Sequence, residues 1–92
     1  MSDEPYSLRV AGPVARTIEH KLPEPVAAAV VEFLTGALLR DPYRVGKQLR
    51  RELEGTYAAR RGAFRVVYEI DGAHHRVIVL RVEHRADVYR PH

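Results

Sequence analysis

An α+β fold, a small twisted antiparallel sheet with two N-terminal helices packed on one face, follows from three features of this 92-residue sequence. An amphipathic helical stripe runs through residues 26–38. Three consecutive segments between residues 56 and 83 carry the two-residue alternation of strands, and tight-turn signals separate them. The length is at the low end of ordinary domain size, so residues 1–92 are expected to form a single domain with a modest core.

In chain order, Tyr6, Leu8 and Val10 alternate with Ser7 and Arg9 and predict a short first strand. Gly12-Pro13 breaks it, and Pro13 suits the first turn of a short helix over Val14–Lys21, in which Val14 and Ile18 share a face. Leu22-Pro23-Glu24-Pro25 ends that helix and opens the next, with Glu24 placed to favour the positive end of the helix dipole. Val26, Val30, Phe33, Leu34, Ala37 and Leu38 then form the stripe; Gly36 weakens its last turn and Asp41-Pro42 stops it. Residues 42–55 read as a basic connection anchored by Val45, Leu49 and Leu53 and closed by Gly55.

The meander begins with Thr56–Arg61 and reverses at Gly62. In Phe64–Ile70, Phe64, Val66, Tyr68 and Ile70 point one way, while Arg65, Val67 and Glu69 point the other. Asp71-Gly72 is a hairpin signal. Arg76–Glu83 is the third strand of the meander; strict alternation groups Ile78, Leu80 and Val82 on one face, with Val77, Val79, Arg81 and Glu83 on the other. With helices on one side of the sheet only, the other side is left open, and it is expected to carry Arg60, Arg65 and Arg81.

Composition removes several kinds of chemistry. The absence of cysteine excludes a disulfide scaffold, thiolate metal sites and a cysteine nucleophile. The two serines, Ser2 and Ser7, sit near the N-terminus outside any nucleophile motif, and no Gly-rich phosphate loop follows a strand. The five histidines lack ligand spacing, so neither a metal nor another cofactor is expected. No run reaches the roughly 18 apolar residues a membrane span needs, and the acidic N-terminus has no apolar signal core; a cytoplasmic protein with no membrane partner is the expectation.

The positive charge is concentrated. Residues 40–65 hold eight basic residues against Asp41, Glu52 and Glu54, whereas the flanking segments are net acidic or neutral. Arginine dominates, which suits bidentate contact with phosphate. A solvated face whose arginines pair with Glu69, Glu83 and Asp87 is the plain alternative; an arginine inside the apolar strand Phe64–Ile70 favours a polyphosphate groove.

Gly62-Ala63-Phe64-Arg65-Val66-Val67-Tyr68 resembles a strand motif of the RelE/ParE toxin superfamily, and His84-Arg85-Ala86-Asp87-Val88-Tyr89 resembles its closing His-Arg…Tyr motif. Leu49, Leu53, Gly55 and Tyr57 resemble the segment that links its helices to its strands. The order and spacing of these motifs, over about Tyr6–Arg90, are most similar to the RelE branch of type II toxin–antitoxin pairs.

That resemblance implies a RelE-like fold and a metal-independent endoribonuclease. Such an enzyme enters the A site of the 70S ribosome and cuts messenger RNA by attack of a ribose 2′-OH on the adjacent phosphate. It implies catalytic roles for Arg60, Arg65, Arg85 and Tyr89, with Arg65 on the scissile phosphate and Tyr89 positioning or deprotonating the attacking hydroxyl. Ala58 departs from the pattern, because better-known members carry there a lysine linked to proton transfer; the general base therefore stays unassigned. Lys47, Arg50, Arg51, Arg61 and Arg81 are expected to meet RNA, chiefly ribosomal RNA phosphates, although Arg50 and Arg51 equally suit pairing with Glu52, Glu54 or an acidic antitoxin. The implied partners are a cognate antitoxin wrapping the helices and basic face, the ribosome, messenger RNA and ribosomal RNA.

The chemistry fits the inventory. Arginines aimed at a pentavalent phosphorane stabilise its extra charge but cannot serve as bases near neutral pH. A tyrosine serves only if neighbouring cations lower its pKa, as Arg65 and Arg85 could do for Tyr89. His84 falls on the parity of Val82 and reads as partly buried and structural. Other readings are a ParE-like toxin that binds DNA gyrase and cuts nothing, and an inactive module that only captures antitoxin.

Overall fold

A computed structural model describes residues 4–49 and 55–84. The elements run β1 (Ser7–Val10), α1 (Gly12–Arg16), α2 (Glu24–Thr35), α3 (Ala37–Arg40), α4 (Pro42–Val45), β2 (Lys47–Gln48), β3 (Thr56–Arg61), β4 (Phe64–Asp71) and β5 (Arg76–His84). A π-helical turn, Thr17–Lys21, continues α1, and a 3-10 turn, Gly72–His74, joins β4 to β5. The five strands form one sheet in the order β1-β5-β4-β3-β2. Pairing is antiparallel except at the edge, where β1 lies parallel to β5.

The helices cover one face. Val14 of α1, Val30, Phe33 and Leu34 of α2 and Leu38 of α3 pack with Phe64, Val66 and Tyr68 of β4 and Val77, Val79 and Val82 of β5 in a single apolar cluster. The expected stripe is therefore the buried one, but it is not one helix. Gly36 adopts φ −120°, ψ −99° and separates α2 from α3. A Cβ on Gly36 would lie 2.9 Å from the Glu32 carbonyl oxygen. Asp41, held out of the helical region by the following Pro42, then ends α3.

Tyr68 ties the sheet to the short helices. It is fully buried, and its hydroxyl donates to the Pro42 carbonyl at 2.6 Å. Burial, and secondarily the neighbouring Tyr57, pushes its pKa up to about 12. Gly46 passes so close that any Cβ would collide with the Tyr68 hydroxyl. At the β3–β4 reversal Gly62 takes φ +52°, which a side chain would disfavour.

Three details differ from the sequence reading. The basic connection contains β2, a two-residue strand paired to β3. The first strand adds to the sheet in parallel, with Ser7 opposite Arg76 and Val10 opposite Val79, rather than extending the antiparallel pairing. Strict alternation also fails in β5: Tyr68 stands opposite Val79 but Val67 opposite Arg81, so Leu80 is an extra residue in a β-bulge. The bulge puts Val77, Val79 and Val82 together in the core, where alternation had separated Val82 from the other two.

Candidate nucleic-acid interface

Residues directly opposite on neighbouring strands share a face, so the register lays out the uncovered side of the sheet. One row runs Arg60, Arg65, Glu83 across β3, β4 and β5. The adjacent row runs Lys47, Ala58, Val67, Arg81 across β2 to β5. A third holds Thr56, Glu69 and Ile78, with Arg9 of β1 beside Ile78. Lys47, Arg60 and Arg81 are exposed, Arg65 is partly buried and Val67 is buried. Four cations thus flank a low floor made by Ala58 and Val67.

Local structure explains why these side chains meet. The tight turn at Gly62 fixes the β3–β4 register that puts Arg60 beside Arg65. The bulge at Leu80 resets the parity of β5, so Arg81 and Glu83 project to the open face although Val77 and Val79 point into the core. A bulge that re-aims side chains is a recurrent device beside functional sites.

The cations are not all alike. Arg65 Nε donates to Glu83 Oε1 at 2.8 Å, and Arg81 Nε lies 3.5 Å from Glu83 Oε2. The three side chains are 38%, 60% and 30% exposed for Arg65, Arg81 and Glu83 respectively. Ion pairs this wet contribute little to stability, about 0–1 kcal/mol. Lys47 and Arg60 form no salt bridge with any described residue. The face therefore offers strong donors to an anion: guanidinium groups that stay charged, and a lysine ammonium, around a floor low enough for a phosphate to approach.

The remaining expected residues separate clearly. Arg61 lies on the helix-covered side, its guanidinium carbon 5.0 Å from the centre of the Phe33 ring, and does not join the open-face set. His84 stands opposite Phe64 on the core side and is partly buried, as its parity predicts. Arg50, Arg51, Arg85 and Tyr89, together with the anchor Leu53 and the ion-pair candidate Asp87, lie outside the described residues. Among the described residues no group of three or more metal-ligating side chains converges. Glu83 is one of three acidic partners suggested by the sequence; its bridging of two arginines depends on the β4–β5 register, which sets it opposite Arg65. On the opposite side, an apolar groove of about 330 Å³ lies between β1, α1, its π turn and α2, with Val31 46% exposed at its rim.

This combination defines a class: a small α+β protein with an arginine-rich, uncovered sheet face suited to a polyanion. Residues 14–89 match the family described as the ParE toxin of type II toxin–antitoxin system, parDE. Among curated proteins, the chain is 56% identical over 86 residues to Toxin RelG of Mycobacterium tuberculosis, covering 94% of this chain and 98% of that one. It is 49% identical over 88 residues to Toxin RelE of the same organism, covering 96% and 90%. In structure it resembles one chain of the RelBE2 toxin–antitoxin complex of Mycobacterium tuberculosis, with TM-score 0.85, 54% identity, and coverage of 89% of this chain and 100% of that chain. Its fold also matches one chain of the intact RelBE complex of E. coli, with TM-score 0.73 at 21% identity over 86% and 95% of the two chains. The chain belongs to the RelE/ParE toxin superfamily of type II toxin–antitoxin systems, in its RelE branch.

Proposed function

We propose that this toxin is a metal-independent endoribonuclease that cuts messenger RNA in the ribosomal A site. The observation that carries the reading is the open face itself, where Arg60, Arg65, Arg81 and Lys47 flank the floor of Ala58 and Val67 in a chain with RelE-type relatives. In the reaction the ribose 2′-oxygen forms a bond to phosphorus as the bond to the 5′-oxygen breaks. The products are a 2′,3′-cyclic phosphate and a 5′-hydroxyl, with one proton leaving the 2′-oxygen and one reaching the 5′-oxygen. Arg65 contacts the scissile phosphate, and Arg60 beside it shares the charge that grows in the transition state. The motif resemblance adds Arg85 and Tyr89, with Tyr89 on the attacking hydroxyl. With arginines as its main polar groups the face is poor in bases, so much of the acceleration comes from positioning, which a ribosome-held codon supplies.

The partners follow from this reading. The face and the remaining basic residues bind messenger and ribosomal RNA through phosphates, with an affinity that falls as salt rises. A cognate antitoxin neutralises the toxin in the cytoplasm; RelBE relatives are seen in toxin–antitoxin complexes, and the apolar groove beside α2 suits an amphipathic segment of such a partner. Residues 1–92 act as a single toxin domain. The family match is described by a ParE toxin, which keeps a gyrase-binding reading in play. Primer extension on a defined messenger, with and without ribosomes, separates the two. Cuts inside codons only with ribosomes support the nuclease; no cuts, together with inhibition of gyrase supercoiling, support the alternative.

A further inference from the structure

We propose that Glu83 is a positioning residue for the reaction: it holds Arg65 and Arg81 side by side so that the open face meets the scissile phosphate with guanidinium groups already in place. This rests on the nuclease reading above. Each carboxylate oxygen addresses one arginine, Oε1 accepting from Arg65 Nε at 2.8 Å and Oε2 lying 3.5 Å from Arg81 Nε. Both contacts use the Nε side of the guanidinium group.

Neither stability nor attraction for RNA accounts for a carboxylate here. The pairs are too exposed to stabilise the fold appreciably, and a negative charge among the cations weakens the pull on a polyanion. What the carboxylate does supply is order. Arginine is rotamer-rich, and a donor that must be found and aligned during the reaction contributes less than one fixed beforehand. The bulge at Leu80 strengthens the point, since the same irregularity turns both Arg81 and Glu83 out of the core parity set by Val77 and Val79. Arg60, in the same row, has no carboxylate partner among the described residues. The row therefore contains one ordered and one adaptable arginine, side by side.

A positioning role is distinguishable from a proton acceptor and from a passive surface pair. Glu83→Gln keeps a carbonyl oxygen for the Arg65 Nε–H, the shorter contact, but removes the charge and the acceptor facing Arg81; Glu83→Ala removes every acceptor. Single-turnover cleavage on programmed ribosomes should fall about tenfold or more in Glu83→Ala, with ribosome binding unchanged or tighter, and should stay within about threefold of the wild type in Glu83→Gln. Heteronuclear NMR of arginine Nε–H groups should show a protected Arg65 signal in the wild type and in Glu83→Gln that is lost in Glu83→Ala. Unchanged cleavage in Glu83→Ala overturns the proposal. Equal loss in both variants, with the acidic limb of the pH–rate profile abolished, makes Glu83 a base and overturns it as well. Parallel loss of cleavage and ribosome binding makes it a binding residue instead. A wild type that cuts nothing sinks the nuclease reading on its own, and the Nε–H signal then still shows whether Glu83 orders Arg65.

Discussion

The two faces of the sheet are built from the same strands and do opposite work. On the covered face Phe64, Val66, Tyr68, Val77, Val79 and Val82 are buried against the helices, and the polar exception, the Tyr68 hydroxyl, is satisfied by the Pro42 carbonyl. On the open face the intervening residues of β3–β5 include Arg60, Arg65, Arg81 and Glu83, held by wet ion pairs or by none, around the floor of Ala58 and Val67. Alternation lets one segment serve both ends, so Arg65 sits between two core residues without burdening the core. Stability should therefore respond to one face and activity to the other.

The sharpest way to break that division is Arg65→Ala. It should lower cleavage by about 100- to 1,000-fold, equivalent to roughly 2.7–4 kcal/mol of transition-state stabilisation, while the thermal midpoint moves little. In-vitro cleavage beside a calorimetric melt checks both halves; loss of the fold would show that Arg65 belongs to the core. On the covered face, Gly46→Ala should do the reverse. Its Cβ would drive into the Tyr68 hydroxyl, at a cost of about 1–3 kcal/mol, or several degrees in melting temperature for a domain of this size.

Tyr68→Phe tests the same face more gently. Leaving the Pro42 carbonyl unsatisfied should cost about 1–3 kcal/mol near neutral pH. It should also remove a pH dependence. Because the folded-state pKa of Tyr68 is raised from 10.0 to about 12, the fold favours the neutral phenol. That contribution is complete below the unfolded pKa and is lost as pH rises from 10.0 to about 12. Denaturant melts across this range should show the wild type losing about 2–3 kcal/mol from this group, and Tyr68→Phe lacking that component.

The smallest effect belongs to neither face. At the β4–β5 turn, the His74 ring Nδ1–H donates to Asp71 Oδ2 at 2.8 Å, and this bond, aided by the His74 backbone N–H, holds the Asp71 carboxyl below its ordinary value. A lowered carboxyl pKa stabilises the fold above the unfolded value of 3.8 and stops doing so as pH falls through the folded value. Acid titration of stability should show a slight extra loss below pH 3.8 that Asp71→Asn lacks.

Much of this was legible in the sequence because it is local. The span of β3 and the facing of Arg65 opposite to Phe64, Val66 and Tyr68 follow from two-residue alternation and the turn at Gly62. The helical stripe from Val30 to Leu38 is buried as its spacing requires. What escaped was non-local or irregular. The parallel pairing of β1 depends on a partner about 70 residues away, and β2 is too short to leave a periodic trace. The bulge at Leu80 is one surplus residue in an otherwise regular strand, so alternation assigned Val77 and Val79 to the face of Arg81 when they are core. The stacking of Arg61 over Phe33, on the helix-covered side, joins a helix to a strand and leaves no local trace either. The family motif, carried by short spaced residues such as Arg65 and Tyr68, was readable from the sequence, and the relatives bear it out.

On the proposed function, the open arginine face cuts RNA presented by the ribosome. Its most direct test is to map the ends of a defined messenger after incubation with wild-type protein and with folded Arg65→Ala, each with and without ribosomes. The wild type with ribosomes should leave 2′,3′-cyclic phosphate ends within A-site codons, and the other three reactions almost none. Equal cleavage by Arg65→Ala, or cleavage by the wild type regardless of ribosomes, would contradict it.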